Sequence, residues 1–208
     1  MVNKYLSRRW LERRKRDYYY RKAKEEKYRS RAAYKLIQAV KKYDFIHSGD
    51  VVVDLGSAPG GWLQVARQIV GEEGFVLGAD LREVKPLNYE NVHVIIGDIR
   101  EEETLKRIRA ILPRPADVVI SDISPNISGI WELDHIRQIE LAKFALEIAL
   151  DVLKAGGNFF TKVFQGELFN QFLDTVKKHF SRVEIFKPKA SRKESAEIYV
   201  LGLNYRPQ

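Results

Sequence analysis

The sequence predicts an α/β fold, in which a mainly parallel sheet is covered by helices on both faces. Short apolar runs rich in β-branched residues alternate along the chain with longer amphipathic stretches, which is the rhythm of strands alternating with helices. The runs are nearly continuous in apolar residues, as expected for strands buried on both faces. With 208 residues, of which 45% are hydrophobic, the chain suits one domain with an appendage.

Seven runs have the length and composition of strands. They cover residues 51–55, 75–79, 92–96, 118–121, 158–163, 182–186 and 198–203. Residues 187–197 alone join the last two runs, and this connection is short for a parallel crossover. We therefore expect an antiparallel pair at the end of the sheet.

Helical patterns fill the longer intervals. They cover residues 61–69, 102–111, 134–154 and 168–180, and an extra helix within residues 30–48 leads into the first strand. The longest carries an apolar stripe of Ile136, Ile139, Ala142, Leu146, Ala149 and Leu153. We expect it to end at Lys154-Ala155-Gly156-Gly157, where a basic last turn is followed by a glycine stop.

The positive charge is concentrated at the N-terminus. The net charge is +8, yet residues 1–42 hold 16 Lys/Arg and 4 Asp/Glu, so the remainder is slightly acidic. In residues 1–29 the cations are interleaved with Trp10 and five tyrosines, a pattern that can neutralise phosphates while rings stack on unpaired bases. The alternative is a solvated helix whose rings pack on the body. We predict an RNA-binding helical extension over residues 1–29 and a second domain over residues 30–208.

Composition excludes several classes of protein. The chain has no cysteine, so it has no disulfide framework, thiolate metal site or cysteine nucleophile. Its four histidines share no ligand spacing, and we expect no metal. No apolar run approaches the roughly 18 residues of a membrane span, and no signal-peptide core is present. We expect a soluble, cytoplasmic protein with no membrane partner.

A glycine-rich turn follows the first predicted strand. Gly56-Ser-Ala-Pro-Gly60-Gly61 would let a ligand approach the backbone closely. It fails the G-x-G-x-x-G pattern of dinucleotide sites and lacks the Lys-Ser/Thr of a phosphate loop. A nicotinamide dehydrogenase, the nearest competitor by fold, is disfavoured for that reason. The turn suits a ligand without phosphates.

Two acids end the next two strands. Asp80 is placed to bind ribose hydroxyls, and Asp98 could accept from an adenine amino group. A single acid after a strand is usually a turn residue or a helix cap. Three consecutive strands that each deliver a glycine turn or an aspartate to one sheet edge indicate a nucleoside site. S-adenosyl-L-methionine fits, because it has an adenine, a ribose and an amino acid but no phosphate.

Residue types that the chain lacks exclude two kinds of methyl acceptor. The fourth strand ends in Ser121-Asp122-Ile-Ser-Pro125-Asn126, without the paired proline and aromatic residue typical of exocyclic-amine methylation. Pyrimidine C5 methylation through a covalent adduct needs a cysteine. Oxygen methylation remains, and it requires a hydroxyl that is oriented and deprotonated.

Three further charged residues are candidates for that chemistry. Lys162 lies inside an otherwise apolar strand, where an ammonium costs several kcal/mol unless it is paired or functional. Glu197 opens the last strand, and Lys35 lies in a helical stretch. The alternatives are a Lys162 that reaches solvent, an edge Glu197 and a surface Lys35. Only the position of Lys162 is anomalous by itself.

Four motifs, in the right order, resemble those of the FtsJ/RlmE-type ribosomal RNA 2′-O-ribose methyltransferases. They cover residues 54–62, 121–129, 162–164 and 191–199, and the similarity runs from about residue 30 to the C-terminus. The resemblance implies a Rossmann-like sheet of seven strands with the last one antiparallel. It implies a catalytic set of Lys35, Asp122, Lys162 and Glu197. It also implies cofactor contacts at Gly60, Trp62, Asp80, Asp98 and Asp122, to which the glycine-turn argument adds Gly56.

The resemblance also implies a substrate. The bacterial family's usual target is a uridine of large-subunit ribosomal RNA, whereas related members act on transfer RNA. A non-catalytic RNA-binding or ribosome-assembly protein is the alternative from another class, but it gives no reason for the glycine turn or for Lys162. From sequence, two roles of Lys162 stay open: a neutral amine that takes the hydroxyl proton, or an ammonium that stabilises the developing alkoxide.

Overall fold

A single sheet of seven strands organises the computed structural model, which describes residues 17–192 and 194–207. The strands are β1 (Val51–Leu55), β2 (Phe75–Asp80), β3 (Val92–Ile96), β4 (Ala116–Ser121), β5 (Leu153–Phe164), β6 (Phe180–Phe186) and β7 (Glu197–Tyr205). The helices are α1 (Tyr18–Glu25), α2 (Ala33–Tyr43), α3 (Gly61–Val70), α4 (Glu102–Ile111), α5 (Trp131–Val152) and α6 (Phe169–His179). The predicted alternation of strands and helices is confirmed.

The strand order is β3-β2-β1-β4-β5-β7-β6. Strands β1 to β5 are parallel, and β7 lies between β5 and β6, antiparallel to both. The predicted antiparallel pair of β6 and β7 is confirmed. Because the carboxyl ends of parallel strands share one edge, the residues that follow β1, β2, β3 and β4 are brought together there.

Two apolar layers hold the helices against the sheet. Leu36 of α2 and Leu63 of α3 are fully buried on one face, whereas Leu146 of α5 and Phe172 of α6 are buried on the other. Burial of apolar area on both faces explains why the central strands are apolar at consecutive positions rather than at alternate ones. Strands β1 and β4 are buried at every residue.

The boundary between α5 and β5 differs from the prediction. Helix α5 ends at Val152, and residues 153–157 belong to the strand, with Leu153 opposite Ala116 of β4. The predicted helix stop at Lys154 was therefore wrong, because pairing with β4 overrides the local glycine signal. Ile136 was also wrongly assigned to the buried stripe, since it is 44% exposed. Among the described residues, α5 included, no helix has the length and apolar content to cross a bilayer.

Helix α1 is attached to the body of the protein. Ala23 is buried in a small cluster with Tyr34 and Ala190. Arg31 adds a polar link, because its guanidinium pairs with Asp17 and donates a hydrogen bond to the carbonyl of Ala190. The predicted extension over residues 1–29 is thus docked from Asp17 onward, and its residues 1–16 lie outside the described part of the chain.

Several tyrosines predicted to stack on bases are used in packing instead. The hydroxyl of Tyr19 accepts a hydrogen bond from Gln38 at 2.9 Å, and that of Tyr28 donates to Gln68 at 2.8 Å. The rings of both lie within 5.6 Å of the Tyr34 ring. For these two residues the alternative that the rings pack on the body is correct, whereas Tyr18 is 59% exposed. RNA binding by this segment stays a prediction.

Candidate active site

A cavity of about 860 Å³ lies at the carboxyl edge of the sheet. Its volume is in the range of sites that take a cofactor or a small ligand. Of the six predicted cofactor residues, four line it, namely Gly56, Asp80, Asp98 and Asp122. Gly60 and Trp62 are not part of the lining. The structure thus brings together most of the predicted set at the predicted edge.

The turn after β1 requires glycine at position 56. Gly56 has a φ of +78°, and a Cβ there would overlap the side chain of Ile123, which follows β4. Its amide donates to the carbonyl of Ala79 at 2.7 Å, which ties the turn to the end of β2. The close approach of the turns after β1 and β4 forms the floor of the cavity.

Asp80 braces the glycine turn from the neighbouring strand. One of its carboxylate oxygens accepts from the amide of Ala58, and the other accepts from the amide of Arg82, both at 2.8 Å. The side chain is 8% exposed and lines the cavity. A carboxylate oxygen can accept more than one hydrogen bond, so Asp80 keeps acceptor capacity for a ligand hydroxyl.

Asp98 is already engaged by a neighbour. The guanidinium of Arg100 donates to both of its oxygens, with Nε at 3.0 Å from each. These hydrogen bonds from Arg100 lower the pKa of the Asp98 carboxyl. Both side chains line the cavity. A ligand amino group would have to share this carboxylate with Arg100 or displace that side chain.

Trp62 lies in the core rather than in the cavity wall. It is 3% exposed, its indole N–H donates to the carbonyl of Ala32 at 2.7 Å, and its ring stacks on Phe160. Helix α3 begins at Gly61, which turns the tryptophan towards the sheet. A direct cofactor contact from its side chain has no support in this geometry. Gly60, with a φ of +106°, lies instead against Arg29.

The side chains of the four residues predicted to be catalytic form one cluster of ion pairs. Lys35 comes from α2, Asp122 follows β4, Lys162 lies in β5 and Glu197 begins β7. The Lys35 ammonium is 2.7 Å from Glu197 and 3.4 Å from one oxygen of Asp122. The Lys162 ammonium is 3.4 Å from the other oxygen of Asp122 and donates to its main-chain carbonyl at 3.1 Å. The alternative of separate surface or edge positions is therefore wrong.

The two lysines experience opposite electrostatic environments. Burial lowers the pKa of Lys162, and the like charge of Lys35 acts in the same direction against the attraction of Asp122. Burial also disfavours the charged form of Lys35, but Asp122 and Glu197 together outweigh it and raise its pKa. The pKa of Asp122 is lowered although burial opposes this, because both lysines stabilise its anion. Lys162 is therefore the member best suited to lose a proton.

Sequence reasoning missed two residues that hold this cluster. Tyr199 is fully buried and its hydroxyl donates to Asp122 at 2.7 Å. The hydroxyl of Ser191 donates to the second oxygen of Glu197 at 2.8 Å. Tyr199 could have been found, because residues two apart in a strand point to the same side and it lies two after Glu197. Ser191 begins the motif of residues 191–199, but it lies in a connection, and its sequence position does not indicate which side chain it contacts.

Asp54, at the end of β1, is a third residue without an assigned role. It is 1% exposed, and neither carboxylate oxygen has a hydrogen-bond partner among the described residues. Burial raises the pKa of Asp54 well above its usual value, and the charges of Asp122 and Asp80 act in the same direction. Burial beneath the glycine turn therefore favours the protonated form of Asp54 more than it would be favoured in an exposed carboxyl.

A mainly parallel sheet with one antiparallel strand, β7, inserted between β5 and β6 is the sheet of a Rossmann-like methyltransferase. The glycine turn after β1 and the acids at the carboxyl ends of β2 and β3 agree with that class. A model of the FtsJ-like methyltransferase family matches residues 28–205. The chain belongs to this family, as the motifs predicted, and the family's methyltransferase activity makes it an enzyme.

Its relatives include proteins named ribosomal RNA large subunit methyltransferase E. The one from Methanococcus vannielii is 54% identical over 198 residues, which cover 95% of this chain and 76% of the relative. That from Methanothrix thermoacetophila is 58% identical over 186 residues, which cover 89% of this chain and 71% of the relative.

Solved structures show the same fold. A Plasmodium falciparum protein provisionally assigned as a ribosomal RNA methyltransferase has a TM-score of 0.77 and 28% identity, over 87% of this chain and all of that one. Aeropyrum pernix fibrillarin, crystallised with S-adenosyl-L-methionine, has a TM-score of 0.55 and 17% identity, over 85% of this chain and 75% of that one. The expectation of an S-adenosylmethionine-dependent methyltransferase fold is confirmed.

Proposed function

We propose that this enzyme transfers a methyl group from S-adenosyl-L-methionine to the 2′-hydroxyl of a ribose in large-subunit ribosomal RNA, at a uridine. One observation carries the proposal. Asp122 belongs both to the cavity lining and to the Lys35–Lys162–Glu197 cluster. A donor held in the cavity and a hydroxyl held at the cluster would therefore meet at this residue.

The cavity residues fit the methyl donor. S-adenosyl-L-methionine supplies an electrophilic methyl group on a sulfonium sulfur, and it carries no phosphate. Gly56 allows close approach to the backbone, and the carboxylate of Asp80 faces the cavity with acceptor capacity for ribose hydroxyls. Asp98 and Arg100 together offer an acceptor and donors for the adenine edge.

Lys162 is the residue that takes the proton from the acceptor hydroxyl. Burial lowers its pKa towards the range in which a neutral amine is populated. Its hydrogen bond to the main-chain carbonyl of Asp122 orients the amine towards the cavity edge. A base held in this way contributes about 10²- to 10⁴-fold to the rate.

Lys35 and Glu197 set the charge around that base. Glu197 holds the Lys35 ammonium at 2.7 Å, and the raised pKa of Lys35 keeps it charged. Its charge compensates Asp122 and disfavours a second positive charge on Lys162. In this role Lys35 is a positioning residue for Lys162 and for the ribose.

The RNA substrate is supported by the relatives' names and by the charge of the N-terminus. We assign residues 1–29 to RNA binding and residues 30–208 to methyl transfer. The segment 1–16 carries seven Lys/Arg and one Glu. Deleting residues 1–16 leaves the contacts of Asp17 and Ala23 intact, so this deletion tests RNA binding without removing α1. We expect a higher KM for RNA and a weaker dependence of that KM on salt.

Labelled methyl donor and RNA test the proposal directly. The enzyme is incubated with isotopically labelled S-adenosyl-L-methionine and, separately, with ribosomal RNA, transfer RNA and large ribosomal subunits lacking the modification. Nucleosides are then identified by mass spectrometry. We expect 2′-O-methyluridine from the large-subunit RNA, as free RNA or within the subunit. Label confined to transfer RNA would overturn the ribosomal target, and label in no ribose would overturn the reaction.

A further inference from the structure

Exposed apolar side chains are concentrated in the connection after β4 and in the first turns of α5. Ile127, Ile130, Trp131 and Ile136 are 62%, 60%, 45% and 44% exposed, and all four fall within ten residues. We call them the β4–α5 apolar patch. Single exposed apolar residues are ordinary, whereas a contiguous group indicates a surface that is covered in use.

The patch is held in place by a buried carboxylate. One oxygen of Asp134 accepts from the amide and the hydroxyl of Ser128, each at 2.8 Å, and the other accepts from the amide of Gly129 at 3.1 Å. Gly129 has a φ of +87°, which favours glycine. Asp134 is 4% exposed. These hydrogen bonds fix the backbone directly before α5, which begins at Trp131.

Trp131 is supported by two nearly parallel rings. The rings of His135 and Phe164 lie 5.7 and 6.0 Å from it, at interplanar angles of 19° and 22°. His135 is fixed in turn, because its Nε2 accepts from the amide of Leu168 at 3.0 Å and Gly166 leaves room for its ring. Nearly half of Trp131 remains open to solvent. The indole is therefore an aromatic surface whose orientation is set before any ligand arrives.

This surface adjoins the catalytic cluster. Phe164 follows Lys162 by two residues in β5, a separation of roughly 7 Å along a strand, and it is paired with Glu197 of β7. On its other side the patch continues into Ser124 and Asn126, which line the cavity. A nucleic-acid strand with its ribose at Lys162 would place a neighbouring base within reach of Trp131.

We propose that Trp131 stacks on an unpaired base of the substrate RNA, either that of the methylated nucleotide or that of a direct neighbour. The inference rests on the proposed function, since the cluster beside it is what would hold the ribose. Stacking needs a flat face and tolerates any base. Pre-orientation by His135 and Phe164 lowers the entropic cost of stacking.

Three substitutions at Trp131 separate stacking from simple apolar contact. We expect Trp131→Ala to raise the KM for a short RNA substrate about 5- to 150-fold, the range for loss of one stacked base. Trp131→Phe should keep most of the affinity, and Trp131→Leu should lose as much as Trp131→Ala. The Kd for S-adenosyl-L-methionine should be unchanged in all three. Ile185→Ala, at a 48% exposed position on β6, is the matched control and should leave both constants unchanged.

Abasic substitutions in the RNA test the same contact from the other side. One base is removed in turn at the methylated nucleotide and at each neighbour. At one position, we expect removal of the base to lower the RNA affinity of the wild-type enzyme strongly. The same removal should lower the RNA affinity of Trp131→Ala little further, because both changes remove the same contact. The abasic series on the wild-type enzyme remains informative if a variant folds poorly.

The outcomes distinguish this inference from the proposed function. Ribose methylation by wild type, combined with no effect of Trp131→Ala on any RNA, would overturn the stacking role and leave the function standing. A defect of Trp131→Ala on large subunits but not on free RNA would also overturn it, in favour of a protein contact. No methylation of any RNA by wild type would instead overturn the function.

Discussion

Lys35 and Lys162 share one carboxylate, each lying 3.4 Å from a different oxygen of Asp122. The two ammonium groups are carried by different elements, one by helix α2 and one by strand β5. Among the described residues, Lys35 forms an ion pair with a second carboxylate and Lys162 does not, since Glu197 lies 2.7 Å from Lys35. This asymmetry explains why burial lowers the pKa of Lys162 whereas the two acids raise that of Lys35.

Removal of the proposed base should abolish turnover without preventing donor binding. We expect Lys162→Ala to lower kcat by about 10²- to 10⁴-fold, because the hydroxyl then lacks its proton acceptor. The Kd for S-adenosyl-L-methionine, measured by calorimetry, should change little. Lys143→Ala, at an exposed position of α5, is the matched control. Full activity of Lys162→Ala would refute the assignment.

The pH profile should respond to Lys35. If neutral Lys162 is the active form, kcat/KM rises with pH through the pKa of Lys162. The charge of Lys35 is one of the causes that lower this pKa. We therefore expect Lys35→Met to move the midpoint of the rise to higher pH, in addition to lowering the rate. A midpoint that stays in place or moves down would show that Lys35 does not act on Lys162 electrostatically.

Glu197 should shift the same profile in the opposite direction. Its negative charge favours the protonated form of Lys162. We expect Glu197→Gln to move the midpoint of kcat/KM to lower pH, since the neutral amide no longer stabilises the ammonium. Rates are measured from pH 6 to 10 with initial velocities at low RNA concentration. Equal shifts of the same sign in Lys35→Met and Glu197→Gln would contradict this description of the cluster.

Donor binding should depend on Asp80. We expect Asp80→Ala to raise the Kd for S-adenosyl-L-methionine about 10- to 150-fold, the range for hydrogen bonds to a charged group. Part of the loss arises from the turn itself, because the carboxylate also accepts from the amide of Ala58. Calorimetric titration is the measurement, and Asp174→Ala, on the exposed surface of α6, is the control. An unchanged Kd would contradict the assignment.

The sequence predicts the sheet well because its strands are locally distinct. Residues 51–55 and 92–96 are bounded as predicted, since glycine and polar residues interrupt otherwise apolar runs. Residues 153–157 could not be placed, because the same Lys-Ala-Gly-Gly signal serves a helix stop or a strand. The pairing of Leu153 with Ala116, 37 positions earlier, decides between them.

The site was predictable where a residue violated its local pattern. Lys162 in an apolar strand is such a violation, and the structure places it at the cluster. Trp62 was implied by the resemblance alone, and its side chain lies in the core. Local sequence does not separate the two orientations, because an aromatic residue after a glycine turn looks the same whether it faces a ligand or the core. Tyr199 is ordinary as an aromatic residue in a strand, and only its position two residues after Glu197 pointed to the cluster. Its hydrogen bond to Asp122 depends on the strand order.

The buried carboxyl of Asp54 should affect the pH dependence of stability rather than catalysis. The pKa of Asp54 is raised in the folded protein. Between about pH 4 and this raised pKa, the carboxyl is protonated in the folded state and ionised in the unfolded state. The free energy of unfolding should therefore fall as the pH rises from about 4 towards the pKa of Asp54 in the folded protein. We expect Asp54→Asn, which cannot ionise, to become progressively more favourable relative to wild type between pH 5 and pH 8. Urea unfolding at both pH values is the measurement.

Asp117 is the matched control for Asp54, because it is a buried acid with partners. It accepts from the amide of Val51 and pairs with Arg114 and Lys154, and these contacts lower its pKa although burial opposes them. Its stabilising contribution is present above about pH 4 and is lost only as pH falls below that value. Asp117→Asn should thus destabilise the protein by about 1–3 kcal/mol, equally at pH 5 and pH 8. If the difference in free energy of unfolding between Asp54→Asn and wild type is also the same at pH 5 and pH 8, Asp54 is ionised in the folded protein.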